Sequence, residues 1–254
     1  MENQYIFKRT ELKYIISSEQ KKELLTRLAG HLLPDFYPHS DIASLYLDSD
    51  DFRLIRNANG SKDYKEKLRI RCYGDVNNDS PVFMELKKKY KGTTYKRRID
   101  LTYGQMRDYL LFERKPDNSQ ITNEIDYLIN SALLKPKALI RYQRDSFQSM
   151  EDENLRITFD YQLRYSTSNL SLNNRQPEGT LLDDDHCIME IKSLAAMPLW
   201  LSETLNEMKI YPGSYSKYGT VYATKLAQGG KLTCHSYSRQ YIPSLTSTHT
   251  YYAH

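Results

Sequence analysis

The residues of this sequence that can do chemistry alternate with apolar ones. In Lys67-Leu68-Arg69-Ile70-Arg71-Cys72 the period is two, which in a strand puts Lys67, Arg69 and Arg71 on one face and Leu68, Ile70 and Cys72 on the other. The same spacing sets Arg9, Glu11 and Lys13 opposite Leu12, Tyr14 and Ile16, and Glu85 and Lys87 opposite Val82, Met84 and Leu86. It recurs with Lys96, Arg98 and Asp100 against Ile99 and Leu101, and with Arg156, Thr158 and Asp160 against Leu155, Ile157 and Phe159. A tripeptide Glu-Leu/Ile-Lys appears at Glu11, at Glu85 and at Glu190, each time in a strand-like segment. On these faces Lys and Arg, Lys192 among them, heavily outnumber Asp and Glu, whereas an ordinary solvated face mixes both signs.

Two architectures fit such alternation. In one, an open sheet packs its apolar face on helices and leaves the charges to water. In the other, the sheet closes into a barrel with the charged face inward and helices outside. Cations left partly desolvated and unpaired in a lumen cost several kcal/mol each, and charge-assisted hydrogen bonds to phosphate return roughly 1.5–3 kcal/mol apiece. The sign bias therefore favours a tunnel that holds a polyphosphate group. Glu11, Glu85 and Glu190 are then candidates to hold a divalent cation through oxygen, and the alternative for each is a salt bridge to a neighbouring cation. Asp160 is ambiguous and is not taken as a ligand.

The elements that must position these side chains follow from pattern. Strands are expected over Tyr5–Ile16, Ile42–Asp48, Tyr64–Tyr73, Val82–Lys88, Thr93–Leu101, Ala138–Phe147, Leu155–Tyr161 and Cys187–Lys192. Helices are expected where Leu24, Leu25, Leu28 and Leu32 follow a cap at Ser17 or Ser18, over Met106–Phe112, around Ile125, Leu128 and Ile129, and from Pro198, in the first turn, to Met208. The class is α+β with a dominant antiparallel sheet, an antiparallel β-barrel tunnel with short helices packed outside. One domain is expected over residues 1–227. The Ser/Thr/Tyr-rich tail, 228–254, follows a Gly-Gly pair and is expected to be disordered or loosely docked.

The chain has 254 residues and a formal charge of only +4, so total charge announces neither nucleic acid nor membrane. No run approaches the ~18 apolar residues of a membrane-spanning helix and no apolar leader opens the chain, so a cytoplasmic location without membrane insertion is expected. Cys72, Cys187 and Cys234 make no C-x-x-C pair, which argues for reduced thiols and against structural zinc. There is no G-x-x-x-x-G-K-[ST], so phosphate binding must use side chains, and the six histidines form no metal-ligand motif and are expected at the surface or in the tail. Asp183-Asp184-Asp185 reads as a solvated loop. RNA binding fits poorly, because RNA readers expose aromatics on the basic face whereas these strands place Arg and Lys there.

Ten ordered motifs resemble the VTC domain, the polyphosphate polymerase module of the vacuolar transporter chaperone family, within the triphosphate tunnel metalloenzyme (CYTH-like) superfamily. They are FKRTELKYII from Phe7, SLYLDS from Ser44, KLRIRCYG from Lys67, FMELKKK from Phe83, YKRR from Tyr95, RYQRDSF from Arg141, LRITFDY from Leu155, MEIK from Met189, PLWL from Pro198 and SYSKYGT from Ser214. The resemblance implies a tunnel that binds ATP and inorganic polyphosphate with Mn²⁺ or Mg²⁺ and passes the ATP γ-phosphoryl group to a growing chain, releasing ADP. Carried over by position, it implies phosphate-binding roles for Lys13, Arg69, Arg71, Lys87, Arg144, Arg156 and Lys217, and a metal-binding role for Glu190. Strand parity adds Lys67, Lys96, Arg98 and Lys192. Hydrolytic members of the superfamily open with E-x-E-x-K; here the string is Arg9-Thr10-Glu11-Leu12-Lys13. A cation at the first position favours the polymerase branch, and the retained Glu11 keeps a triphosphate hydrolase as the alternative, beside a non-catalytic polyphosphate or nucleotide sensor. With no evident membrane or SPX-like segment, export of the product is expected to need a separate membrane partner.

Overall fold

The computed structural model describes residues 10–227 apart from Lys62, Gly92 and Ala195. Arg9 and the tail 228–254, on which two of the expectations bear, lie outside the described residues, as does Cys234.

The chain runs β1 (Thr10–Ser17), α1 (Ser18–Arg27), β2 (Leu32–Asp48), α2 (Arg53–Gly60), β3 (Tyr64–Tyr73), β4 (Pro81–Tyr90), β5 (Thr93–Thr102), α3 (Tyr103–Phe112), α4 (Gln120–Ala132), β6 (Lys135–Ser149), β7 (Arg156–Ser166), β8 (Gly179–Thr180), β9 (His186–Ser193), α5 (Leu199–Glu207) and α6 (Lys217–Val221), with one π-helical turn at Tyr222–Leu226. Within the described residues each expected strand forms, residues 5–9 of the first lying outside them, and β8 is added at the edge of β7. Ser17 caps α1 through a capping box: its hydroxyl accepts from Gln20 N at 3.0 Å while the Gln20 side chain accepts from Ser17 N at 3.0 Å. Leu32 continues the helical spacing yet opens β2, since α1 ends at the Leu28 cap and Gly30 follows. Pro198 stands at the N-cap of α5 rather than inside its first turn.

The strands form one antiparallel sheet of order β1-β9-β7-β6-β2-β3-β4-β5. Irregular register in β2 between Pro34 and His39, and in β6 between Arg141 and Gln143, bends the long strands and lets the sheet curl. No ladder joins the edge strands β1 and β5 among the described residues, so hydrogen bonds do not close the barrel. The curl is nonetheless tunnel-like: Lys87 of β4 reaches Glu11 of β1 at 3.3 Å.

Apolar residues on the outer face form two cores. One gathers Leu68, Ile70, Met84 and Leu86 with Met106, Tyr109 and Ile125 of α3 and α4. The other gathers Tyr14, Ile16, Ile157, Phe159 and Ile191 with Leu24 of α1 and Leu201 and Leu205 of α5. A third core lies on the inner face at one end. There Ile55 and Ala58 of α2 and Tyr218 and Val221 of α6 pack with Tyr46, Ile140, Tyr142 and Ile188. These two short helices carry no periodic signal long enough to read. What holds α2 is Asp48, wholly buried, which accepts from Ser49 N, Leu54 N and Ile55 N at 2.8–3.0 Å and from the Tyr218 hydroxyl at 3.1 Å. Cys72 and Cys187 are free and buried, and burial pushes their thiols up to about 11 and about 12.

A cationic tunnel as candidate functional site

Cross-strand register assembles the inner wall row by row. Residues directly paired across an antiparallel ladder share a face, so Lys13, Glu190, Thr158 and Ser146 form one row across β1, β9, β7 and β6. Glu11, Lys192 and Arg156 form the next row. On the other wall, Tyr46, Arg69, Glu85 and Arg98 align across β2 to β5, with Lys67, Lys87 and Lys96 beside them. All fourteen residues singled out in the sequence line one cavity of ≈ 1630 Å³: Glu11, Lys13, Lys67, Arg69, Arg71, Glu85, Lys87, Lys96, Arg98, Arg144, Arg156, Glu190, Lys192 and Lys217. Its wall carries twelve Lys/Arg against five Asp/Glu, a larger surplus than the +4 of the whole chain. Positive charge is thus gathered at the cavity, where several cations share one acid: Glu85 meets Arg69, Arg71 and Lys96, Asp160 meets Arg144 and Lys217, and Glu11 meets Lys13 and Lys87.

The carboxylates fall into two kinds. Glu85, 3% exposed, has both oxygens taken: Oε2 accepts from Arg69 Nε and Nη2 at 2.9 and 2.8 Å, and Oε1 lies 2.5 Å from Lys96 Nζ. Burial alone would raise its carboxyl, but Arg69, Arg71 and Lys96 outweigh it and hold the group at about 2. Asp160, 1% exposed, is likewise taken by Arg144, at 2.6 and 2.8 Å, and by Lys217 at 2.6 Å, and these cations hold it at about 2 against the effect of burial. Both acids are counter-ions that fix the arginines and lysines around them.

Glu11 and Glu190 differ, because their side chains approach one another as well as the lysines. Glu190 lies 2.7 Å from Lys192 and 3.7 Å from Lys13, and Glu11 lies 3.6 Å from Lys13. Burial pushes Glu190 up; Lys192, the hydrogen bond with Glu11 and Lys13 prevail and hold it well below the carboxylate range. Two carboxyl groups side by side supply the hard oxygen donors that Mg²⁺ or Mn²⁺ takes. Next to Glu190 in register stands Thr158, whose buried hydroxyl has no hydrogen-bond partner among the described residues. The donor set therefore fits a hard divalent cation, and lysine ammonium groups balance the pair in the free chain.

Three buried polar atoms lack a partner among the described residues: Thr158 Oγ1, Arg71 Nε and Ser44 Oγ. Arg71 and Thr158 are among the residues that line the cavity, and Arg71 Nε lies 4.0 Å from Glu85 Oε2, beyond hydrogen-bond reach. Lys67 is held by the Ser216 hydroxyl at 2.8 Å, with no carboxylate at ion-pair distance among the described residues. Burial, with Lys13 and Lys87 near, pushes its ammonium down. Arg156 reaches out to Asp35 at 3.0 Å, and Arg98 is engaged by Asp100 at 2.6 Å.

Sequence reasoning missed the tyrosines. Tyr46 and Tyr142 line the cavity and accept from Arg69 and Arg71, each at 3.4 Å. Burial raises the Tyr46 phenol, but Arg69, Lys217 and Lys67 bring it down to about 8. Strand parity was the available signal, since Tyr46 is the register partner of Arg69. The acidic run proves to be a surface feature: ligand atoms of Asp183, Asp185 and His186 come within 4.8 Å of one another, outside the tunnel wall.

The chain matches the model of the VTC domain family over residues 8–226. Among curated proteins it is similar to vacuolar transporter chaperone complex subunit 4 of Trypanosoma brucei brucei, 24% identical over 86% of this chain and 34% of that protein. It is also similar to the subunit of the same name from Schizosaccharomyces pombe, 22% identical over 62% of this chain and 26% of that one. The chain thus matches about a third or less of the length of these relatives. Among solved structures it is similar to a proposed adenylate cyclase from Bacillus halodurans, with a TM-score of 0.50 and 16% identity over 81% of this chain and 92% of that one, a likeness of fold. With its antiparallel sheet curled around a cation-lined tunnel of the CYTH-like kind, the chain belongs to the VTC domain family.

Proposed function

We propose that this domain is a metal-dependent polyphosphate polymerase that transfers the γ-phosphoryl group of ATP to a polyphosphate chain held in the tunnel and releases ADP. The observation that carries the reading is the segregated cationic wall with donors left unpaired, Arg71 Nε and Thr158 Oγ1, beside the Glu11–Glu190 pair. Its kinship with a family whose relatives are named as vacuolar transporter chaperone subunits supports it.

Phosphoryl transfer has a loose transition state, so positioning and charge neutralisation do most of the work. Arg69, Arg71, Arg144 and Lys217 are rigid donors because Glu85 and Asp160 hold them in place. Lys13, Lys67, Lys87, Lys96, Arg156 and Lys192 extend the positive wall along the chain. Glu11 and Glu190 would hold the Mn²⁺ or Mg²⁺, which would supply Lewis-acid charge neutralisation for phosphoryl transfer. The acceptor is a terminal phosphate oxygen, so no side-chain nucleophile is required. The retained Glu11, paired with Glu190, favours a triphosphate hydrolase as the second reading.

Turnover of ATP with Mn²⁺ tests the proposal. The wild type is expected to form ADP, and Glu190→Ala to abolish metal-dependent turnover with the circular dichroism spectrum unchanged. Full activity in the variant would remove Glu190 from the mechanism, and ATP binding without ADP formation in the wild type would leave a sensor.

A further inference from the structure

Arg98 stands apart from the other cations of the wall. Its guanidinium carbon lies 3.6 Å from the centroid of the Phe83 ring, a face-on stack. Asp100 grips one edge of the guanidinium, accepting from Nε at 2.6 Å and from Nη2 at 3.4 Å, so the plane is fixed as well as supported. The edge of the stack is braced by Tyr73, whose ring meets Phe83 at 5.8 Å and 68°. Tyr73, Phe83 and Arg98 all line the cavity: Tyr73 ends β3, Phe83 lies near the start of β4, Arg98 pairs with Glu85 two residues further along the ladder, and the Arg98 side chain is 39% exposed.

This geometry suits a flat ring better than a phosphate. A phosphate needs the in-plane N–H donors, and here Asp100 occupies an edge of them and adds a negative charge beside the position an oxyanion would take. A nucleobase needs only a π face, and arginine guanidinium planes are a recurrent surface for bases. We propose that Arg98, laid on Phe83 and clamped by Asp100, is a stacking shelf for the nucleobase of a nucleoside triphosphate at the tunnel rim. The inference rests on the reading of the tunnel as an ATP site and assigns the residues that meet the base, since an inorganic chain offers no ring to the shelf.

The test compares two ligands that share a triphosphate and differ in the base. ATP and inorganic tripolyphosphate are titrated separately by calorimetry, with divalent metal chelated so that no turnover occurs. Phe83→Leu keeps apolar bulk and removes the ring, and it is expected to raise the ratio of the ATP to the tripolyphosphate Kd about tenfold. Arg98→Lys keeps the charge, loses the plane and is expected to move the ratio in the same direction. An unchanged ratio in both variants, with the two ligands weakened equally or not at all, overturns the shelf while leaving the tunnel reading intact. A wild type that binds neither ligand overturns the tunnel reading, and the shelf with it.

Discussion

Charged side chains in this tunnel are positioned by their own counter-ions. Glu85 and Asp160 sit at about 2 because cations surround them, and in return they hold Arg69, Lys96, Arg144 and Lys217 in fixed directions. Tyr46 reports the same field from the neutral side. Its phenol falls from 10.0 to about 8 because burial is outweighed by Arg69, Lys217 and Lys67. Bound polyanion neutralises those cations and so raises the Tyr46 pKa, and by linkage each unit of that rise weakens binding about tenfold once the phenol is ionised. Tripolyphosphate affinity is therefore expected to fall as pH rises through about 8, with Tyr46→Phe removing that leg. In the free chain the sign is opposite: the folded phenol loses its proton first, so the stability Tyr46 contributes grows as pH rises from about 8 and is full above about 10. Calorimetric titrations from pH 7 to pH 9.5 check this, and an identical pH profile in Tyr46→Phe would contradict it.

At the scale of elements, the strands were legible because each buries one face and turns the other toward charge, a period of two that survives in a single sequence. Lys67 to Cys72 shows it without interruption, and β3, Tyr64–Tyr73, contains it and matches the expected bounds. The fourteen wall residues followed from that parity and from the family resemblance. Closure was not legible, since register and curl depend on bulges such as those in β2 and β6 that no local pattern marks. The inner helices were missed for a different reason: α2 is 8 residues and α6 is 5, too short for a period to emerge. Their anchor is Asp48, which satisfies the first turn of α2 and the Tyr218 hydroxyl of α6 together. Asp48→Ala leaves those buried donors unpaired and is expected to cost about 3 kcal/mol or more in urea unfolding. Asp48→Asn, which keeps an acceptor oxygen, should cost less. An Ala variant within about 0.5 kcal/mol of the wild type would show that the helices are held by other contacts.

For the whole molecule, the small net charge conceals a strong separation of charge. A chain of +4 builds a cavity wall on which twelve cations face five carboxylates, and Asp160, Asp100 and Glu124 pair with four of those cations as well. Among the described residues no helix is long and apolar enough to cross a membrane. The central claim is that this tunnel extends a polyphosphate chain at the expense of ATP. The most direct measurement incubates the protein with ATP and Mn²⁺, with and without a short polyphosphate primer, and resolves the products by gel electrophoresis and ³¹P NMR. The account predicts internal phosphoanhydride signals that grow with ADP as polyphosphate lengthens. Free phosphate released from ATP with no chain growth would contradict it and assign the tunnel to triphosphate hydrolysis.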